Sequence, residues 1–173
     1  MEGANLTRQG ERAPLIAIKY LDQVVREAPN LFGRICQLAW NAGASWAEIA
    51  NELGVTKQAA WKRYARRGRR VPTPPMRALQ RCLERLMKGD SEYYQVSWET
   101  PLPPLESRRG ALLGLRILDV MLQEAERELS LLVAEARFRG VTWQVVASTL
   151  GVGPQAAHKR LSHKVNAIVD LAQ

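Results

Sequence analysis

The chain has 173 residues, 25 Lys and Arg against 17 Asp and Glu, and a formal net charge of +8. That length leaves room for one large domain or two small ones, and no apolar run approaches the roughly 20 residues that a membrane helix needs. Two cysteines without C-x-x-C spacing and two histidines far from them in sequence give no metal, redox or cofactor signature, so Cys36 and Cys82 are expected to be buried, reduced thiols of a cytoplasmic protein.

Residues 1–12, part of the polar stretch MEGANLTRQGERAP, lack the apolar segment of a signal peptide and read as a flexible tail. Leu15, Ile16, Ile18, Leu21, Val24 and Val25 then form the i, i+3, i+4 stripe of an amphipathic helix over 15–27. Ala28-Pro29-Asn30 is expected to end it, with Asn30 capping a second helix from Leu31 to Asn41 that stops near Gly43. Ser45 caps a third helix from Trp46 to Glu52, Gly54 supplies a turn, and Thr56 caps a fourth from Lys57 to about Arg67. Between Lys57 and Arg70 stand seven basic residues and no acidic one.

Val71-Pro72-Thr73-Pro74-Pro75 reads as a stiff extended spacer. A short amphipathic helix over Met76–Met87 follows, with Leu79, Cys82, Leu83 and Leu86 on one side, and then an extended loop over Asp90–Pro104 whose Tyr93, Tyr94 and Trp98 either pin it to a lobe or form a stacking platform for bases. From Gly110 to Ser148 there is no proline, so the next two helices can fuse or bend only slightly near Glu126–Glu128. Thr142 caps a helix starting at Trp143, and Gly153-Pro154 opens a last helix that can run to Leu171, proline being suited to the first helical position.

These two halves are related. GASWAEIANELGVTKQAAWKR, residues 43–63, returns at an offset of 97 as GVTWQVVASTLGVGPQAAHKR, residues 140–160, with eleven identities in 21 positions. The same offset aligns LIAIKYLDQVVREA, residues 15–28, with LLGLRILDVMLQEA, residues 112–125. The repeating unit is therefore about 55 residues, enough for a small helical core. The expected architecture is all-α: a tail over 1–12, a first three- to four-helix lobe over 13–70, a linker with a short helix over 71–109, and a second lobe over 110–173.

The repeated segment meets the physical requirements of a helix-turn-helix. Ala50 and Ala147 fall where two helices would cross and a larger side chain would push them apart. Gly54 and Gly151 fall in the turn, where a positive φ costs any residue with a Cβ roughly 1 kcal/mol or more. Val55/Val152, Ala60/Ala157 and Tyr64/Leu161 continue an inward stripe. Thr56, Lys57, Gln58, Trp61, Lys62 and Ala65 then face outward in the first copy, and Gly153, Pro154, Gln155, His158, Lys159 and Ser162 in the second. A recognition helix presents such a face to the major groove, where glutamine can pair with adenine and lysine or arginine with guanine, while flanking cations hold phosphate.

At these positions the chain resembles the helix-turn-helix modules of bacterial regulators, of the sigma-factor region 4-like and resolvase-like types common in actinobacteria, with their pattern S/T-W-x-E-I-A-x-x-L-G-V-S/T-x-Q-A-A-x-x-R. The first copy fits closely, and the second departs at Val145 and at Gly153-Pro154. The resemblance covers the two motifs and not the spacer. It implies a DNA-binding module without naming a regulator, since neither a recombinase catalytic domain nor a promoter −10-reading region is evident.

The expected DNA contacts are Thr56, Lys57, Gln58, Trp61, Lys62, Arg63, Arg66, Arg67, Arg69 and Arg70 in the first copy, and Gln155, His158, Lys159, Arg160, Ser162 and Lys164 in the second. Residues 1–104 carry a net +6 and residues 105–173 a net +2, so the first lobe should bind polyanions harder. Trp40, Trp46 and Trp143 read as core; Trp61 either touches a thymine methyl or sugar or packs against the linker. His158 and His163, five apart, do not share a helix face, and Asp22, Asp119, Glu27 and Glu124 lack any accompanying nucleophile, so solvated surface or ion pairs account for them and no enzyme is expected. The leading expectation is a sequence-specific regulator or repressor that reads an asymmetric duplex site in the nucleoid and acts by site occlusion or contact with RNA polymerase. An architectural, replication or partition factor is the alternative, as is a second lobe turned to protein interaction or self-association.

Overall fold

The computed structural model describes residues 3–65, 73–88 and 102–171, and all regular structure among them is helical. Seven α-helices run in order: α1 (Gly3–Asn41), α2 (Trp46–Glu52), α3 (Lys57–Tyr64), α4 (Pro74–Lys88), α5 (Arg108–Phe138), α6 (Trp143–Leu150) and α7 (Pro154–Leu171). No described helix is long and apolar enough to cross a membrane.

Four expectations from local signals are corrected. The segment read as a tail is helical from Gly3, and α1 continues through Pro29 where a break was expected. Proline removes one amide donor and crowds the preceding turn, but Ala28, Leu31, Phe32 and Ile35 around it are all buried, and that packing outweighs the local penalty. Asn30, expected as a cap, instead donates its side-chain amide to Glu27 at 2.8 Å. The spacer is shorter than expected as well: Pro74 and Pro75 lie in the first turn of α4, where a missing N–H costs nothing, and Thr73 Oγ1 accepts from the Met76 amide at 3.4 Å. In the second half the two anticipated helices are fused, as the absence of proline allowed, into the 31-residue α5.

The chain forms two compact units, and they do not follow the expected lobes 13–70 and 110–173. One unit comprises Met1–Val25 with Glu124–Gln173, and the other Arg26–Gln123. Each therefore takes its first helix from one sequence copy and its second helix and paired short helices from the other. The reason is geometric. In α1 and in α5 the first helix of each copy is fused end to end with the second, and a continuous helix cannot fold back on itself.

In the first unit, Ile18 of α1 is fully buried against Leu129 and Val133 of α5, Val146, Ala147 and Leu150 of α6, and Ala157, Leu161 and Val165 of α7. In the second unit, α1 contributes Leu31, Phe32, Ile35 and Cys36 to a core that also holds Ile49, Ala50, Ala60, Leu83 and Leu115. Gly114 permits a close approach of α5 there, since a Cβ at that position would lie 2.6 Å from Leu105 Cδ1 and 3.7 Å from Ile35 Cγ2. Cys36 is buried as expected, and burial pushes its thiol up to about 12; Cys82, expected to be buried, is exposed.

Candidate nucleic-acid interface

The pairs α2–α3 and α6–α7 are built by matching local chemistry. Ser45 caps α2 by accepting from the Glu48 amide at 3.2 Å, while the Glu48 carboxylate accepts from the Ser45 amide at 3.0 Å, a reciprocal capping box. Thr142 caps α6 with a bond from the Val145 amide at 3.4 Å, and Thr56 caps α3 with one from the Ala59 amide at 3.2 Å. The turns use equivalent glycines at nearly equal angles: Gly54 has φ +62° and Gly151 has φ +65°, which is the left-handed conformation that disfavours any side chain. Ala50 and Ala147, the expected crossing residues, are buried, as are Ala60, Ala157, Tyr64 and Leu161. Val55 departs from that stripe and is exposed, while Val152 packs partly on the core.

On α3 and its cap, Thr56, Lys57, Gln58, Trp61, Lys62 and Arg63 are all exposed. Trp61, at 56% exposure, is not packed into the fold. Together Lys57, Gln58, Trp61 and Lys62 join Trp46 in lining a groove of ≈ 480 Å³. Trp46 was read as core, yet it is only half-buried: one side meets the ring of Trp40 at 6.1 Å between centroids, and the rest belongs to the groove. Trp40, also read as core, is 49% exposed. Its partnership with Trp46, six positions on, was not legible from helical periodicity because the two lie on different helices. Arg66, Arg67, Arg69 and Arg70 lie outside the described residues.

Neighbouring acidic groups do not offset this cationic face. Glu48 and Glu52 of α2 are held by Arg108 and Arg116 of α5, the second pair at 2.9 Å, beside Arg109, Leu112 and Leu113. The Ser45 amide, and after it the Arg108 guanidinium and the Ser45 hydroxyl, lower the Glu48 carboxyl to about 2. These arginines are 60 or more positions from their partners in sequence, and nothing local pointed to them.

The second copy is arranged differently. Gln155, His158 and Lys159 are exposed on α7, but His158 sets its ring edge-on against Trp143 at 5.1 Å, and Arg137 lies over the same indole at 5.4 Å. Arg160 is turned onto Asp22 of α1 at 2.5 Å, Lys164 onto Glu126 at 2.8 Å, and Ser162 is half-buried. Three of the six expected contacts in this copy are thus engaged within the fold. Asp22, expected as solvated surface or an ion pair, is buried and ion-paired. Among the described residues no group of three His, Cys, Asp or Glu side chains is placed to hold a metal ion.

No family model matches the chain, and no solved structure matches it. It is 40% identical over 53 residues to an uncharacterized protein of Mycobacterium bovis and to uncharacterized proteins from two strains of Mycobacterium tuberculosis. That segment is 31% of this chain, and the chain spans about a fifth of the length of these relatives, 20% in each.

Proposed function

We propose that the protein binds double-stranded DNA in a sequence-dependent way, through two unequal helix-turn-helix elements, as a transcriptional regulator. The observation that carries this reading is the outward face of α3. It presents Lys57, Gln58, Lys62 and Arg63 in solvent, directly after a capped turn, with no carboxylate among the groove-lining residues. A glutamine flanked by cations at the start of a helix suits an adenine edge between two phosphate strands. The second face, with Gln155, His158 and Lys159, differs in chemistry, so one chain would read an asymmetric site.

A second reading concerns the α6–α7 element alone. Arg160 and Lys164 are committed to internal ion pairs, and Phe138 and Val145 stand 90% and 42% exposed on the same unit. Loss of phosphate ligands beside exposed apolar side chains favours a protein partner for that element, with DNA held by α3.

Selection of bound sequences from random duplex DNA tests the main reading. A discrete asymmetric site is the expected result. Uniform recovery of all sequences would support an architectural role, and no recovery at all would remove DNA as the ligand.

A further inference from the structure

Resting on the DNA-binding reading, we infer that the groove between Trp46 and Trp61 is a thymine-reading site, which receives the 5-methyl group of one thymine in the major groove. The base edges displayed in that groove are polar apart from the thymine methyl, and here the face offered to them contains two half-exposed indoles. Trp46 and Trp61 line the groove with Gln58, and Lys57 and Lys62 supply the charge that phosphates on either side require. With no acidic side chain among the lining residues, the groove is complementary to a polyanion with one apolar projection. Gln58 then addresses an adenine in the neighbouring pair, so the step read by α3 combines an adenine edge with a thymine methyl.

The corresponding place in the second copy cannot do this. At the positions equivalent to Trp46 and Trp61 stand Trp143 and His158, whose rings touch at 5.1 Å. Arg137, the counterpart of Trp40, covers the indole from another side. In the first copy Trp46 meets Trp40 instead, and with Trp61 it lines an open groove. Methyl reading is therefore confined to the half-site bound by α3.

The test uses the full chain and its selected duplex, with each thymine replaced singly by deoxyuridine, a change that deletes only the methyl. Binding is measured by fluorescence anisotropy. Wild type should lose about fourfold in affinity, the worth of one buried methyl group, at one thymine of one half-site. Trp61→Ala should bind the thymine duplex correspondingly more weakly and no longer distinguish it from the deoxyuridine duplex, while Trp61→Phe retains part of the discrimination. If the duplex is bound and no deoxyuridine substitution changes the affinity, or if Trp61→Ala keeps the wild-type penalty, the thymine assignment is overturned and DNA binding stands. Failure to bind any duplex would overturn both.

Discussion

Asp22 on α1 and Arg160 on α7 form an ion pair at 2.5 Å although 138 positions separate them. The carboxylate side chain is 4% exposed and the guanidinium side chain 37%. The pair fastens the first helix of one copy to α7 of the other, and it engages within the fold an arginine that the sequence pattern assigned to a DNA contact.

Replacing Arg160 with alanine would remove one cation from an enclosed carboxylate. Breaking a fully buried pair costs about 3–5 kcal/mol; with over a third of the arginine side chain in solvent, about 2 kcal/mol is expected. Asp22→Asn should instead free Arg160 for phosphate, strengthening binding to every duplex alike and steepening the salt dependence by about one contact. Thermal melts and binding across a salt series read the two effects separately. An Asp22→Asn variant with unchanged salt dependence would mean that Arg160 cannot reach the backbone even when released.

The exchanged helices lead to a prediction about the halves of the chain. Residues 1–90 hold the first helix of one unit and most of the other, and residues 102–173 hold the complement. Co-expressed as separate chains, the two pieces should purify together at 1:1 and melt cooperatively, whereas either piece alone should self-associate or remain largely unfolded. Two stable monomeric halves would show that each copy closes on its own first helix.

Much of this arrangement is written locally, and some of it is not. Ser45, Thr56 and Thr142 cap the helices they were expected to cap, and Gly54 and Gly151 take the positive φ that their place in the turn demanded, because capping and turn chemistry are decided within four or five residues. Pro29 misled for the opposite reason: a local breaker is overridden by the buried side chains on either side of it. Unit boundaries, the Asp22–Arg160 pair and the arginines on Glu48 and Glu52 depend on which distant helix arrives, and a repeat in sequence does not say whether its first helix packs at home or is exchanged. The exposed face of α3 was legible because helical periodicity alone turns it outward; Trp46 was misjudged because a residue at a helix start can serve core and surface together.

Glu48 gives a pH dependence with a definite sign. Its carboxyl is held near 2, below the ordinary 4.5, so the ionised form is favoured in the folded chain. The stabilisation is complete above about pH 4.5 and is lost as pH falls toward 2. Glu48→Gln should lower the melting temperature at neutral pH and flatten its decline across that acid window. A variant whose acid decline matches the wild type would place the responsible carboxylate elsewhere.

Equilibrium binding of the full chain to its selected duplex and to a panel of single-base-pair variants, for wild type, Gln58→Ala and Arg63→Ala, tests most directly the proposal that the outward face of α3 reads DNA. Gln58→Ala should cost about 1–3 kcal/mol on the preferred site and lose discrimination at one base pair. Arg63→Ala should weaken all duplexes equally and reduce the salt slope by about 1. Wild-type affinity and specificity in both variants would contradict the assignment of this face to DNA.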